Sequence, residues 1–247
     1  MKQTKIRVGV LFGGQSAEHE ISIRSAKAVI EHLDPEKYEV YPIGIDKKGS
    51  WHHLDYRPLL LSLQRDYLPT FQKSDPHFPL IKRVASKKGS FFSPSLLRET
   101  LDVVFPILHG PLGEDGTVQG LLELSRIPYV GPDHLSSAIC MDKGVMKALL
   151  HVAGLPTARY QLLKKGEPID EKGLCALFPF PLFVKPAQMG SSLGITKVEH
   201  ENELTEAIKR AFQYDETILI EEGIEGREIE CSVLGNEEVE ASLPGEV

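Results

Sequence analysis

Two rhythms of apolar and polar positions alternate along the chain. Ile6-Arg7-Val8-Gly9-Val10-Leu11-Phe12 is a nearly continuous apolar run, the pattern of a buried strand. It stops at Gly13-Gly14, and Ser22, Ala26, Val29, Ile30 and Leu33 then recur at helical spacing. Asp34-Pro35 ends that helix, and Tyr38 to Ile45 reads as a second strand, completing a β-α-β unit. Prolines at 58, 69, 76, 79 and 94 break residues 47–98 into short pieces, read as a surface excursion with a hairpin at about 80–93. Order resumes with the apolar strand Leu101–Leu108, which ends in His109-Gly110. A helix over about 117–125, a short strand at Pro128–Gly131 and a helix over about 142–153 follow, the last stopped by Gly154-Leu155-Pro156.

Beyond Pro156 the rhythm quickens to strand, helix, strand, loop, strand, helix, strand. Leu204, Ala207, Ile208, Ala211 and Phe212 form one helical stripe. Thr217–Glu222 is a strand, and Gly226 to Leu234 another, turned by Gly235-Asn236. The fold class is therefore an α/β unit with a parallel sheet, followed by an α+β unit, with the change of pattern between residues 100 and 156. The chain stops at Pro244-Gly245-Glu246-Val247 with a strand still running, so further C-terminal sequence is expected.

Composition narrows the function classes. The 247 residues are 41% hydrophobic and 26% charged, ordinary for a globular protein. A net charge of −7 argues against a nucleic-acid binder; the basic cluster Lys82, Arg83, Lys87 and Lys88 reads as a solvated hairpin. No apolar run approaches the ~20 residues needed to span a bilayer, and no partner membrane is expected. Cys140, Cys175 and Cys231 are far apart and odd in number, which fits buried structural thiols in a reducing, cytoplasmic compartment.

Four polar clusters carry candidate chemistry. In Lys185-Pro186-Ala187-Gln188-Met189-Gly190-Ser191-Ser192-Leu193-Gly194 a lysine closes an apolar strand before a small-residue loop. An ammonium with closely approaching backbone N–H groups can hold polyphosphate; on its own the loop is equally an ordinary hairpin turn. Glu18 and Glu20 follow the first strand, at the sheet edge where open α/β sheets bind ligands. Glu20 reads as a carboxylate placed favourably on a helix dipole, whereas Glu18 could receive an ammonium. His109, near Glu114 and Asp115, ends a strand on the same edge and is either scaffold or partner to a reacting carboxylate. Lys143 follows the capping candidate Asp142 at a helix N-terminus, a costly place for a cation without an anion nearby. In Glu221-Glu222-Gly223-Ile224, with Glu228, backbone groups on an exposed strand edge could read a nucleobase, and a carboxylate could bind ribose hydroxyls.

Taken in order, Gly13-Gly14-x-Ser16-x-Glu18-His19-Glu20-Ile21-Ser22, His109-Gly110-x-x-Gly113-Glu114-Asp115-Gly116, Met141-Asp142-Lys143, the Lys185–Gly194 loop and Gly226-Arg227-Glu228-Ile229-Glu230 closely resemble the bacterial D-alanine–D-alanine ligase family, ATP-grasp enzymes of peptidoglycan synthesis. The likeness runs from residue 5 to 247. It implies an N-terminal, pre-ATP-grasp substrate domain (1–139), a central ATP-grasp subdomain (140–225) and the start of a C-terminal one (226–247). The implied reaction is ATP-dependent, ADP-forming joining of two D-alanines through an acyl phosphate. By this resemblance Glu18 holds the first D-alanine's ammonium, His109 sits near its carboxylate, and Ser191 links the phosphate loop to Glu18. Lys143 and Lys185, with Gly190, Ser191 and Ser192, meet ATP phosphates. Glu221, with the backbone at Glu222 and Ile224, contacts adenine, and Glu228 binds ribose. Mg²⁺ or Mn²⁺ is implied, with ligands expected beyond Val247, as are the family's catalytic tyrosine and arginine; the 247-residue chain alone is therefore not expected to make dipeptide. A cytoplasmic homodimer is also implied. Competing readings are a D-alanine–D-lactate type ligase and a non-catalytic nucleotide-binding fragment.

Overall fold

The structure, a computed structural model, describes residues 4–53 and 95–247. The hairpin expected at 80–93 and its basic cluster lie outside the described residues. Strand β1 (Ile6–Gly13) pairs in parallel with β2 (Tyr38–Ile45) on one side and β4 (Val103–Leu108) on the other. The sheet is not wholly parallel as expected: β3 (Trp51–His53) adds an antiparallel edge to β2, giving the order β3-β2-β1-β4. A tight turn at Lys47–Ser50, closed by Asp46 Oδ1 accepting from Lys48 and Ser50 N–H, folds the chain straight back.

Both faces of this sheet are covered. Val8, Val10 and Phe12 point to helix α1 (His19–His32) and pack on Ile23, Ala26 and Ile30. The opposite face sets Leu11, Ile43, Ile45, Val104 and Leu108 against Leu97 of α2 (Ser95–Thr100), against Leu101, and against Val118 and Leu122 of α3 (Thr117–Leu124). Each such side chain, fully buried, contributes roughly 1.5–3 kcal/mol. Pro128–Gly131 is not a strand; Tyr129 makes a single parallel bridge to Val104. A helix the pattern did not reveal, α4 (His134–Met141), follows, capped by Asp133 accepting from Ser136 N–H at 2.7 Å. Its only strongly buried residue is Ser137, so no apolar stripe announced it. Helix α5 (Lys143–Val152) starts one residue later, and Gly154 ends it in the left-handed conformation, φ 72°.

The second sheet is antiparallel, in the order β5-β8-β6-β7: β5 (Tyr160–Lys164), β6 (Leu182–Pro186), β7 (Thr196–Val198) and β8 (Thr217–Glu222). Helices α6 (Glu171–Leu177) and α7 (Glu201–Ala211) cover one face, burying Leu182, Val184, Ile218 and Ile220 against Leu174, Leu204, Ala207 and Ile208. The intervening residues Phe183, Lys185, Leu219 and Glu221 face the other way, because strand side chains alternate. The strand expected over Gly226–Leu234 is two pieces, β9 (Ile229–Glu230) and β10 (Val233–Gly235). They pair with β12 (Gly245–Glu246) and β11 (Val239–Ala241) respectively. The break at Cys231-Ser232 has a local cause: Ser242 Oγ accepts the Ser232 N–H at 2.9 Å, replacing a ladder bond. The cysteines also differ from expectation: Cys140 and Cys231 are exposed and Cys175 is half-buried. Among the described residues no helix is long and apolar enough to cross a membrane.

Candidate active site

The first half of the site is the carboxyl edge of the first sheet. Gly13 and Gly14 both have positive φ (92° and 94°), and Gly14 N–H donates to Ile45 O at 2.8 Å, so the chain turns tightly against β2. Ser16 Oγ donates to His109 O at 2.6 Å and accepts from Glu18 N–H at 3.2 Å. One hydroxyl thus ties the β1–α1 turn to the end of β4. Glu18 occupies the N-cap position of α1 but does not cap it. Its carboxylate reaches across to Ser191, whose Oγ donates to Glu18 Oε1. Gly110 is left-handed (φ 72°), which strains any residue with a Cβ, and a Cβ there would lie 2.6 Å from Glu18 Oε2 and push this carboxylate aside.

His109 stands beside it. Its Nε2 is hydrogen-bonded to Ser25 Oγ at 3.1 Å, and its Nδ1 is 3.8 Å from Glu114 Oε1. Glu114 Oε2 accepts the Gly110 N–H at 2.8 Å. Glu18, His109 and Glu114 therefore converge on one short loop. Glu20 turns away to Lys47, at 2.5 Å, and that ammonium's hydrogen bond holds its carboxyl below the usual range. The neighbouring His19 is buried, its Nδ1 paired with Gly14 O at 2.7 Å, which makes it scaffold. A cavity of about 340 Å³ opens on this edge, lined by Gly14, Gln15, Trp51, His109, Pro111 and Thr117 among others.

The second half lies on the other face of the second sheet, which α5 covers in part. Lys185 from β6 and Lys147 from α5 each donate to one oxygen of Glu221 on β8. Burial alone would push the Glu221 carboxyl up; the two ammonium groups more than offset this and hold it below the ordinary carboxylate range. Lys143 opens α5 behind Asp142, whose Oδ1 accepts from Gly144 and Val145 N–H at 3.0 and 3.1 Å. Lys143 Nζ donates to Met189 O at 2.5 Å and Ala187 O at 3.3 Å, at the base of the small-residue loop. Burial, and then the like charge of Lys185, push its pKa down, so a bound anion would relieve it. Two ammonium groups thus close on Glu221, and a third, Lys143, held by carbonyls with Asp142 and Asp215 nearby, stands beside Lys185 at the base of the loop, where a phosphate could meet both.

The loop is pinned at its root and open at its tip. Gln188 Nε2 donates to Asp142 Oδ2 at 2.9 Å, and Gln188 N–H to Asp215 Oδ2 at 2.8 Å. Ser191 and Ser192 then adopt left-handed φ of 48° and 58°, which turns the chain toward Glu18. Gly190 lies beside the same carboxylate: a Cβ there would be 3.7 Å from Glu18 Oε2. The strand end here is not the exposed edge expected, because β8 pairs on both sides: Glu222 is engaged by Arg159, through Nε at 2.6 Å and the Arg159 N–H at 2.8 Å, and its own N–H donates to Arg159 O. Ile224 and Glu228 are exposed. Sequence reasoning passed over Lys147, Gln188 and Asp215. Lys147 had a signal, a lysine one helical turn after Lys143; the other two hold the loop through contacts 46 and 27 residues apart, which local pattern does not encode.

The mixed and antiparallel sheets with their helices fit an α/β fold of ATP-grasp type. Residues 7–132 match the model of the D-ala D-ala ligase N-terminus, and residues 149–247 that of the D-ala D-ala ligase C-terminus. The D-alanine–D-alanine ligase of Oceanobacillus iheyensis is 45% identical over 246 residues, which cover 98% of this chain and 67% of that protein. That of Caldicellulosiruptor bescii is 47% identical over 253 residues, covering 99% and 67%. Among solved structures, the D-alanine–D-alanine ligase from Coxiella burnetii superposes with a TM-score of 0.81 at 39% identity, covering 98% of this chain and 71% of that one. The VanG D-Ala:D-Ser ligase from Enterococcus faecalis gives 0.78 at 36%, covering 98% and 70%. The chain belongs to the D-alanine–D-alanine ligase family.

Proposed function

We propose that this chain supplies the first D-alanine site and the nucleotide-phosphate site for ATP-dependent ligation of two D-alanines to D-alanyl-D-alanine, for peptidoglycan precursor synthesis. The observation that carries the reading is the Ser191–Glu18 hydrogen bond, which joins an ammonium-binding carboxylate to the phosphate loop. One carboxylate oxygen of the first D-alanine attacks the γ-phosphorus of ATP, the bond to ADP breaks, and an acyl phosphate results. The amine of the second D-alanine attacks the acyl carbon, phosphate leaves with the acyl C–O bond, and the amine proton is lost. The protein's part is positioning and charge neutralisation.

Glu18 receives the first ammonium, and His109, oriented by Ser25 and Glu114, stands near the reacting carboxylate. Lys143, Lys185 and the Gly190-Ser191-Ser192 turn hold the phosphates. The strand end at Glu221, Glu222 and Ile224 lines the adenine, and Glu228 takes the ribose. The three units are 1–139, 140–225 and 226–247; what supports the first division is that the two four-stranded sheets have separate cores. Homodimer formation is part of the same reading. Among the described residues no group of three or more His, Cys, Asp or Glu side chains converges to hold a metal ion. The family's Mg²⁺ is therefore assigned no residue and no step.

Structural likeness to a D-Ala:D-Ser ligase favours a second reading in which the acceptor differs. One assay addresses both: ADP formation by the chain with D-alanine alone, then with D-serine or D-lactate added, with products identified by mass. ADP formed in step with dipeptide supports the ligase reading. ADP formed without regard to D-alanine, or dipeptide without ATP, overturns it.

A further inference from the structure

We propose that Lys147 is the resident counter-ion of Glu221, a positioning residue that confines Lys185 to a single carboxylate oxygen and so leaves its other donors for the phosphates of the nucleotide. The inference rests on the nucleotide reading above and assigns a role to a side chain outside the five motifs.

Three lysines meet in this region, but their hydrogen-bonding capacity is spent differently. An ammonium has three N–H donors. Lys147 is 7% exposed; it donates to Glu221 Oε1 and, at 3.2 Å, to Ala158 O, and it lies 5.3 Å from the centroid of the Tyr160 ring. Carboxylate, carbonyl and ring face enclose it, so nothing is left to offer a ligand. The Lys185 side chain is 20% exposed and donates to the other oxygen, Glu221 Oε2, with the Phe183 ring at 6.0 Å. Two of its donors remain available on the open face. Lys143 is bound to carbonyls only, at Met189 and Ala187.

The fold sets this division. Glu221 sits on the central strand β8, opposite Tyr160 on one side and Phe183 on the other. Lys147 reaches it from the β5 side, because α5 packs closely there: a Cβ on Gly144 would stand 3.0 Å from Leu162. Lys185 reaches it from the β6 side, where the loop begins. Remove Lys147, and Lys185 becomes the sole ammonium in contact with a buried carboxylate. Both Glu221 oxygens can then close on Lys185, and incoming phosphate must break that pair first. A charge pair of this kind is strong in a low-dielectric setting.

The test compares two ligands on the 247-residue chain by calorimetry: adenosine, and an ATP analogue with a non-hydrolysable β–γ bridge. In Lys147→Met the analogue is expected to bind about tenfold more weakly or worse, and adenosine less than about threefold. Lys147→Met combined with Glu221→Gln is expected to bring the ratio of analogue to adenosine affinity back toward that of the unaltered chain, because a neutral amide cannot hold Lys185 and any change at the adenine is shared by both ligands. Should Lys147→Met fail to fold, Lys147→Gln, which keeps a donor for Ala158 O without the charge, gives the same comparison. Equal weakening of both ligands in step with a lowered melting temperature, or no recovery in the double variant, would overturn the counter-ion role and leave the nucleotide reading intact. No analogue binding by the unaltered chain would overturn the nucleotide reading, and this role with it.

Discussion

The two sheets solve the problem of exposing chemistry in opposite ways. The first is covered on both faces, so its polar groups stand only at the strand ends: Glu18 after β1, His109 after β4. The second has α6 and α7 across one face and α5 over only part of the other, so Lys185 and Glu221 project from the flat of the sheet, near the ends of β6 and β8. A covered sheet displays function at its rim, where loops are free to vary. A half-covered sheet displays it on its surface, where the period of two fixes which residues are offered. The rim holds a carboxylate and an imidazole; the surface holds ammonium groups. The Ser191–Glu18 hydrogen bond is where the two meet.

This contrast can be broken by substitution. The largest effect is expected on the open face: Lys185→Ala leaves buried Glu221 short of one partner and should cost about 3–5 kcal/mol, divided between stability and nucleotide binding. ADP formation should fall by about two orders of magnitude or more, while Lys172→Ala on the exposed surface of α6 leaves it unchanged; similar activity in both would mean that the face carries no ligand. Next comes the rim. Glu18→Gln should weaken D-alanine binding by about 2–4 kcal/mol and leave the ATP analogue nearly untouched, measured by calorimetry; equal losses for both ligands would erase the distinction between rim and face. Asp142→Ala removes the α5 cap and the Gln188 contact, and should lower stability by about 1 kcal/mol in thermal melts, with little change in the D-alanine affinity.

The smallest effect concerns the bottom of the first sheet, far from either site. Arg7 donates to Asp102 through Nη2 at 2.8 Å and Nε at 3.1 Å, and this holds the Asp102 carboxyl below its usual range. Both side chains are more than a third exposed by area or nearly so, so Asp102→Asn should cost less than about 1 kcal/mol. A depressed folded-state pKa stabilises above the unfolded value, about 3.9, and the stabilisation is lost as pH falls through the folded value. The melting-temperature difference between the two proteins should therefore be constant near neutrality and vanish in acid.

Much of this was legible in the chain. The bounds of β1, β2 and β8 follow from their apolar runs, and the α7 stripe from its 3.6-residue period. The site motifs were legible because glycines and lysines stand where apolar residues would otherwise continue. Three things were hidden for physical reasons. Helix α4 buries little, so it leaves no stripe. The β9–β10 break depends on a serine ten residues away, just past the end of β11. Lys147 sits on a helix whose apolar residues, Val145, Leu149 and Val152, are the exposed ones, so its burial inverts the usual pattern.

The Ser191–Glu18 hydrogen bond joins residues 173 positions apart. Each sheet, by contrast, closes within its own stretch of chain: the first is complete at Leu108, and the second spans Tyr160 to Glu222. Chain-closure entropy makes such a distant contact the last to become favourable. The first sheet can thus form while the second is still being synthesised. Catalytic competence then arrives as a separate, final docking event, after the secondary structure is in place. In refolding experiments, the return of D-alanine affinity should lag behind the recovery of the circular dichroism signal.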